Sequence, residues 1–386
     1  MRVPLSFCLL ILASPPLRGQ IYSDFTTSLG NFTVELDYTN SPRTVANFIT
    51  LAEGSRNWVD SANGAVRTNT PYYDGIVFHR VIAGFVNQAG SQNGIGTDGP
   101  GYAFPDEVSN GLTFSSPYLI AMANSGPNTN GSQFFITVDT PTSLDGVHTI
   151  FGSVSSGTSV IDAINAVTTD DDDKPVTDVT INSVTIRRVG AAAIAFDASS
   201  QILPAVQGAN PTISFPTGTA TLNISQAPRS SLSIYASPDL LTWTPEIRYL
   251  DTTRSTQNSF DTGISEARHF FATSSITWPT DAHAPDTYLG RNLTLIVNGS
   301  TLVLDANPPG SSTIGTLSLD GGTPSTVTEL RHETTQGYGS TILVFSEGFV
   351  PIRFNLGYDS TSTGRVTGTA FATNPFSLTG TFTLAP

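Results

Sequence analysis

Residues 72–90 contain side chains that are suited to polar stabilisation without a nucleophile. Arg80 and Gln88 lie on either side of a Gly-Phe turn that includes Phe85. A guanidinium stays charged and presents several hydrogen-bond donors in a fixed plane. It could therefore stabilise a polar atom of a bound molecule, although a single arginine in a strand is more often a surface residue or an ion-pair partner.

Residues 119–137 form a second candidate segment. A run of small residues at 121–126 precedes a strand that contains Gln133 and Phe135, and the motif Leu-Asp-Gly-Val-His-Thr-Ile-Phe-Gly follows at 144–152. Taken alone, a phenylalanine such as Phe135 is typical of a core position, and a single histidine is more often structural than functional. Neither segment by itself identifies a function.

The sequence lacks the motifs of several other kinds of catalytic and cofactor sites. The motifs H-E-x-x-H and G-x-S-x-G and the P-loop do not occur, and the five histidines are scattered. Residues 94–99 match G-x-G-x-x-G, but Pro100 follows where a dinucleotide site needs a helix, which predicts a glycine loop. The single cysteine, Cys8, precedes the expected mature chain, which excludes disulfides, thiolate catalysis and cysteine-bound metals. We expect no cofactor.

Composition limits the partners. The chain has 386 residues and a formal net charge of −14, and only 12% of its residues are charged. A surface this acidic repels phosphate groups, so nucleic acids and anionic lipids are not expected partners. Beyond the first twenty residues no apolar run approaches the ~18 residues of a membrane span. The sequence gives no indication of an oligomeric state.

Residues 1–19 have the pattern of a secretory signal peptide. Arg2 supplies a minimal positive region, residues 5–13 are apolar, and residues 17–19 could precede a cleavage point. We therefore expect an exported protein, located in the periplasm, outside the cell or at the cell surface.

The remaining chain divides into three predicted regions. Residues 20–190 mix strands with helices: residues 30–36 alternate as a half-buried strand, and a helix is predicted between Ser41, as a cap, and Gly54. A second helix is predicted at 159–166. Residues 191–285 are expected to contain a linker and a small β-rich module, and residues 286–386 an all-β domain, because short alternating strands and glycines dominate there. That domain is predicted to be a sandwich or a barrel.

The two candidate segments together resemble the cyclophilin family of peptidyl-prolyl isomerases. The family pattern F-H-R-V-I-x-G-F-x-x-Q-x-G is similar to residues 78–90, M-A-N-x-G-P-N-T-N-G-S-Q-F-F-I-T to residues 122–137, and L-D-G-x-H-x-x-F-G to residues 144–152. Their order and spacing match across residues 24–190. The resemblance implies a closed eight-stranded antiparallel β-barrel with two helices covering its ends, and thus a mainly β protein.

The resemblance also implies an activity, cis-trans isomerisation of Xaa-Pro bonds. Rotation about such a bond must break amide resonance, with a barrier near 18–20 kcal/mol, but it needs neither a nucleophile nor a cofactor. In the twisted state the proline nitrogen can accept a hydrogen bond, and the resemblance assigns this donor role to Arg80.

The other site residues follow from the same resemblance. Phe85, Val86, Phe135 and Leu144 are expected to form an apolar socket for the proline ring, with His148 at its rim. Gln88 is expected to bind the substrate backbone and to help hold Arg80, Asn124 to pair with the peptide through its main chain, and Ala123 to keep that edge open; Gln133 completes the substrate-binding set. Compared with the family pattern, residues 56–71 look like an insertion after the first helix. They could form an extra loop near the site.

Three functions therefore remain open at the level of sequence. The first is an isomerase that acts on proline-containing peptides and on unfolded or partly folded exported proteins, and so assists their folding. The second is a non-catalytic proline-peptide-binding module. In the third, the function resides in the β-rich tail, which would bind another protein or a carbohydrate. The joint presence of Arg80, Phe85, Gln88 and Phe135 favours the first.

Overall fold

The computed structural model describes residues 19–208 continuously and shorter stretches beyond them. These stretches are 212–214, 221–226, 230–237, 239–242, 244–251, 256–261, 270–277, 279, 291–307, 315–335, 339–346, 351–360, 362–370 and 376–385. The predicted signal peptide, apart from Gly19, and the predicted domain boundary near residue 285 lie outside the described residues. Within them, no helix is both long and apolar enough to cross a membrane.

The first region is built on one curled eight-stranded antiparallel sheet with the strand order β10-β1-β2-β9-β7-β8-β6-β5. The strands up to β10 are β1 (Gln20–Thr27), β2 (Gly30–Leu36), β3 (Trp58–Val59), β4 (Val66–Arg67), β5 (Arg80–Ile82), β6 (Val86–Ala89), β7 (Leu119–Met122), β8 (Phe134–Thr137), β9 (Ile150–Ser156) and β10 (Ile181–Val189), and the helices are α1 (Pro42–Ala52), α2 (Thr158–Asn165) and α3 (Ala191–Ile194). Both predicted helices and the strand at 30–36 are confirmed.

Alternating apolar side chains create the core inside this sheet. In β2, Phe32, Val34 and Leu36 are buried, as the period of two predicts. Phe25 of β1 is paired directly with Phe32, and their rings stack with centroids 4.5 Å apart. Phe48 of α1 packs against the same ring of Phe25. The helix therefore closes one end of the sheet, as expected.

The N-terminus of α1 is capped differently from the prediction. Ser41 makes no side-chain cap; its hydroxyl donates to the carbonyl of Ile150 over 2.6 Å. The carboxylate of Glu107 instead accepts from the amides of Arg43 (3.1 Å) and Thr44 (2.8 Å). A carboxylate at this position satisfies amides that have no partner within the helix and complements the positive end of its dipole. The cap comes from a distant loop, so local sequence could not show it.

The barrel is half-open, whereas the resemblance implied a closed one. The outermost strands β5 and β10 do not form a ladder with each other. The two edges meet just before β5 and at the start of β10. The amide of Phe78 donates to the carbonyl of Val179 over 2.9 Å, and the amide of Ile181, the first residue of β10, donates to the carbonyl of Ile76 over 2.8 Å. β5 has only three residues, and its central amide, Val81, donates to the carbonyl of Asp173 in a turn, so a ladder cannot continue there.

The second region contains two antiparallel sheets with the orders β11-β17-β14-β15 and β12-β13-β16. Their strands are β11 (Ala205–Gly208), β12 (Thr212–Ser214), β13 (Thr221–Gln226), β14 (Ser230–Ser237), β15 (Thr244–Asp251), β16 (Thr256–Asp261) and β17 (Phe270–Thr277). The start of the predicted linker is not an extended connection. Its alanines form the short helix α3, and Ala193, Ala198 and Leu203 are buried in the core of the first region.

The insertion at residues 56–71 forms the β3–β4 hairpin and contacts the second region. Arg56 donates to the carbonyl of Pro204 over 2.7 Å, and Asn57 donates to that of Val206 over 3.0 Å. A Cβ on Gly64 would lie 2.2 Å from the ring of Tyr235, so only glycine allows this approach. The insertion thus serves as a docking surface for the second region.

The third region is a closed eight-stranded antiparallel barrel, one of the two predicted forms. Its strands are β18 (Asn292–Val297), β19 (Ser300–Ala306), β20 (Gly315–Leu319), β21 (Ser325–Thr335), β22 (Gly339–Ser346), β23 (Ile352–Tyr358), β24 (Thr363–Ala370) and β25 (Phe376–Ala385). β25 pairs with β18 and closes it. Leu295, Phe354 and Leu356 belong to a core that is separate from that of the first region.

The cap of α1 leads to a first prediction. In Glu107→Ala, the amides of Arg43 and Thr44 lose their acceptor, which is expected to cost about 1 kcal/mol of local stability. Hydrogen exchange at residues 43–46 should accelerate by about fivefold, while the core of the C-terminal barrel, as internal control, keeps its rates. Unchanged exchange in the first turn of α1 would show that Glu107 is not its cap.

Candidate functional site

Strand register places three of the predicted site residues in one row across the sheet. Arg80 of β5 is paired with Gln88 of β6, and Gln88 with Phe135 of β8. Phe135 is in turn paired with Ala121 of β7. Directly paired residues of antiparallel strands project from the same face of a sheet. The guanidinium and the phenylalanine ring therefore belong to one surface, although 55 positions separate them in the sequence.

Alternation along the strands makes this surface the outer one. Phe134 and Ile136, the neighbours of Phe135, are buried in the main core inside the sheet, and so is Ala89, the neighbour of Gln88. Phe135 and Ala121 belong to a different apolar cluster. Because successive residues of a strand point to opposite faces, one short strand serves the core and the site together.

The outer cluster forms an apolar socket. Its buried members are Val86, Phe114, Ala121, Phe135 and Ile150, and its partly buried members are Ile82, Phe85, Leu112, Leu119, Ala123 and Leu144. Five of these residues are among the predicted site residues. Phe85, Ala123 and Leu144 are partly exposed, so the socket has an apolar rim that is open to solvent. An apolar ring placed there would be removed from water on one side, which favours binding.

Phe114 is a member of the socket that the sequence did not reveal. Its ring is fully buried and stacks on that of Phe135, with centroids 6.0 Å apart and planes at 18°. Its amide donates to the carboxylate of Asp145 over 2.7 Å. Phe114 lies in a stretch without regular secondary structure, so no periodicity marked it as part of a cluster.

His148 also packs against Phe135. The two rings meet edge to face with centroids 5.3 Å apart. Nδ1 of His148 lies 2.9 Å from the carbonyl oxygen of Met122, and because a carbonyl only accepts, Nδ1 must carry the proton. Burial lowers the pKa of His148, and the bond to Met122 opposes that shift only in part. The imidazole is therefore neutral at pH 7, with Nε2 as an acceptor.

The predicted peptide edge is fixed by internal hydrogen bonds. The amide of Ala123 donates to the carbonyl of Gln133 over 2.9 Å. The side chain of Asn124 donates to the carbonyl of Val147 over 2.9 Å and accepts from the amide of Gly126 over 3.3 Å. Because its side chain is engaged in this way, the contact of Asn124 with a peptide would fall to its main chain, as the resemblance implies.

Gln88 and Gln133 form a chain of fixed amides beside Arg80. The side chain of Gln88 donates to that of Gln133 over 3.0 Å, and Gln133 donates to the carbonyls of Gly96 (2.9 Å) and Asp98 (2.8 Å). Since each amide has one orientation in this chain, the carbonyl oxygen of Gln88 is directed away from Gln133.

The ion-pair partner of Arg80 lies in the acidic turn at residues 170–174. Nε of Arg80 is 3.5 Å from Oδ2 of Asp173, and both side chains are 44% exposed. Nothing in the sequence connected this turn with the site. An exposed pair of this kind contributes little stability. The guanidinium therefore stays accessible to solvent, and the pair favours conformations of the Arg80 side chain that lie near Asp173.

A buried histidine lies directly behind the site. His79, which precedes Arg80, is 5% exposed, and among the described residues neither of its ring nitrogens has a hydrogen-bond partner. Burial lowers the pKa of His79 to about 4. His79 is therefore a neutral core residue at pH 7.

An apolar socket, the predicted peptide edge and an accessible guanidinium thus lie together on one side of the sheet. The sequence profile described as "Cyclophilin type peptidyl-prolyl cis-trans isomerase/CLD" matches residues 22–186. The peptidyl-prolyl cis-trans isomerase B of Streptomyces anulatus is 49% identical over 173 residues, which are 44% of this chain and 98% of that protein. The probable peptidyl-prolyl cis-trans isomerase A of Mycobacterium leprae is 49% identical over 162 residues, 42% of this chain and 88% of that protein.

Among solved structures, a cyclophilin type peptidyl-prolyl cis-trans isomerase of Cryptosporidium parvum matches with 29% identity and a TM-score of 0.38, over 44% of this chain and 98% of that one. The chain belongs to the cyclophilin-type peptidyl-prolyl cis-trans isomerases. Residues 22–186 contain its isomerase domain, and the two β-rich regions follow that domain.

The pKa of His79 leads to a second prediction. The unfolded chain binds a proton near pH 6.5 but the folded chain only near pH 4, so the free energy of unfolding must fall as the pH decreases between these values. From pH 7 to pH 5 this amounts to about 2 kcal/mol. In His79→Phe that part of the pH dependence should disappear, as measured by hydrogen exchange of core amides in β6 and β8. An equal pH dependence in both proteins would contradict a buried neutral His79.

Proposed function

We propose that Arg80 catalyses isomerisation by donating a hydrogen bond to the proline nitrogen as the Xaa-Pro bond twists. In the planar amide the nitrogen lone pair is delocalised, and the barrier to rotation is about 18–20 kcal/mol. In the twisted state the lone pair becomes localised on the nitrogen, which can then accept a hydrogen bond. A donor that meets this nitrogen only in the twisted state lowers the barrier without tightening the binding of either planar form.

The observation that supports this role is the row formed by Arg80, Gln88 and Phe135. Two strand spacings, about 10 Å, separate the backbones of Arg80 and Phe135. A proline ring held against Phe135 would present its nitrogen to the space between these two residues. The guanidinium can reach into that space because it is half-exposed and its ion-pair partner Asp173 is exposed as well.

The other predicted residues would hold the substrate. Phe85, Val86, Phe135 and Leu144 enclose the proline ring in this proposal. The main chain of Asn124 pairs with the peptide backbone beside Ala123, and the side-chain oxygen of Gln88 accepts a hydrogen bond from substrate or from Arg80. His148 keeps the ring of Phe135 in place and presents an acceptor at the rim. Gln133 orients Gln88 through the hydrogen bond already described.

The energy required is modest for such a site. An acceleration of roughly 10⁵-fold corresponds to about 7 kcal/mol of the rotation barrier. One well-placed donor in an apolar site contributes about 3–4 kcal/mol. Removal of the substrate amide from water and its fixed orientation would supply the remainder.

We further propose that the substrates are exported proteins whose folding waits for proline isomerisation. The predicted signal peptide at residues 1–19 supports export, and the strongly acidic composition fits a protein that avoids nucleic acids. Isomerisation of Xaa-Pro bonds takes tens to hundreds of seconds without a catalyst, which limits the folding of many chains. Sequencing of the mature N-terminus should find cleavage after Gly19; an intact Met1 in the exported fraction would contradict a cleaved signal.

The role of Arg80 gives a third prediction. In Arg80→Ala, kcat/KM for a chromogenic Ala-Xaa-Pro-Phe peptide should fall by about 10²–10³-fold. Arg80→Lys keeps the charge but loses the planar set of donors, so its activity should lie between those of Arg80→Ala and the wild type.

Arg187→Ala is the matched control for this series. Arg187 is also a half-exposed arginine of the sheet that pairs with a carboxylate, Asp24, but it lies on β10, the strand at the opposite end of the strand order. Its removal should leave kcat/KM unchanged. Full activity of Arg80→Ala, or equal losses in both alanine variants, would contradict the proposed mechanism.

A further inference from the structure

The loop that begins with the peptide edge is in contact with the C-terminal barrel. This loop, residues 123–130, is the first part of the connection from β7 to β8 and starts with Ala123 and Asn124. A Cβ on Gly357 of β23 would lie 2.3 Å from Cβ of Pro127, so the barrel backbone touches the loop directly. A Cβ on Gly126 would lie 3.2 Å from Cβ of Asn355. The barrel therefore meets the loop two residues after Asn124.

Arg365 of β24 provides the polar part of this contact. One of its terminal nitrogens, Nη2, lies 3.0 Å from the carboxylate of Asp106 and 3.1 Å from the side-chain oxygen of Asn128. The same nitrogen is 3.3 Å from the carboxylate of Asp359, within the barrel. Asn128 also donates to the carbonyl of Tyr358 over 3.0 Å. Arg365 thus joins the barrel to both the loop and the residue that supports the loop.

Asp106 depends on this arginine because its carboxylate is fully buried. The carboxylate accepts from the amide of Asn128 (2.9 Å) and from the side chain of Asn130 (2.7 Å), so it holds the loop at two points. Burial raises the pKa of Asp106, and Arg365 opposes that shift. A buried carboxylate without an opposite charge is strongly destabilising. Among the described residues, the ion-pair partner of Asp106 is Arg365, which belongs to another region of the chain.

The loop has a backbone conformation that needs such support. Asn128 has a φ of +60°, in the left-handed region, and it is almost completely buried. A residue other than glycine in this conformation costs of order 1 kcal/mol and persists only when its surroundings fix it. The contacts with Asp106, Arg365 and Tyr358 are those surroundings.

We infer that Arg365 is a positioning residue of the isomerase: it fixes the loop at residues 123–130 and thereby sets the affinity for the peptide. The inference rests on the proposed contact of the peptide with Ala123 and Asn124. Without Arg365 the loop would have to be ordered when the peptide binds, and that cost weakens binding. The rotation step itself depends on Arg80 and is not altered.

The test compares Arg365→Met with the wild type in the full chain. KM for the Ala-Xaa-Pro-Phe peptide should rise about tenfold, because a hydrogen-bonded charge contributes an effect of this size. The value of kcat should stay within about twofold of the wild type. Amide exchange at residues 124–126 and 128–130 should accelerate, while exchange in β1 and β2 should not. Arg291→Met, which removes an arginine of the same region outside this contact, is the matched control.

Two further variants separate positioning from a loss of folding. Arg365→Lys keeps a charge opposite Asp106 but cannot bridge to Asn128 in the same way, so KM should be intermediate. The double variant Asp106→Asn, Arg365→Met removes the buried charge together with its partner, so it should fold even if Arg365→Met does not. Its KM should remain raised.

An unchanged KM in any folded variant that lacks Arg365, or equal changes in the Arg291 control, would overturn the inference. Arg80→Ala in the same assays distinguishes the two proposals. If Arg80→Ala is inactive while Arg365→Met behaves as the wild type, the catalytic proposal stands and the positioning role fails. If Arg80→Ala is fully active, the assignment of the site itself fails.

Discussion

The register between β5, β6 and β8 is the constraint on which the site depends. It brings Arg80, Gln88 and Phe135 into one row on the outer face, while their neighbours fill the core. A shift of the register by one residue would turn Phe135 inward and Phe134 outward, and both clusters would be lost. Selection for a packed core and for a peptide site therefore acts on the same hydrogen-bonded ladder. No separate element has to carry the catalytic residues.

Contacts outside this ladder position the side chain of Arg80 and the loop after β7. Because the barrel is half-open, the short strand β5 has one edge that faces a turn, and the turn supplies Asp173 beside Arg80. Apart from a single β-bridge between Asn130 and Phe104, residues 124–130 have no strand pairing, and polar contacts with Asp106 and the C-terminal barrel define the loop. The β-rich regions contact the isomerase domain at the β3–β4 hairpin, at the core that buries Ala193, Ala198 and Leu203, and at this loop. They are structurally continuous with the isomerase domain.

The parts of this structure that follow local rules could be predicted from the sequence. Alternation identified β2, a helix with Pro42 in its first turn was located correctly, and the family motifs located the row and most of the socket. The missing parts depend on contacts between distant segments. Glu107 caps α1 from a loop, Phe114 enters the socket from an irregular stretch, and Asp173 meets Arg80 across the open edge. Periodicity and spacing within one segment cannot predict contacts between distant segments. The pairing of Asp106 with Arg365 is another such contact.

The most direct test of the account follows the peptide while it is bound. Exchange NMR of a saturating Xaa-Pro peptide measures the interconversion of its cis and trans forms on the enzyme, separately from the dissociation constant of each form. If Arg80 acts on the twisted state alone, Arg80→Lys should slow the bound interconversion by at least about tenfold and change both dissociation constants by less than about threefold. Unchanged interconversion on the enzyme, with weakened binding of both forms, would mean that Arg80 only binds the substrate and would contradict the account.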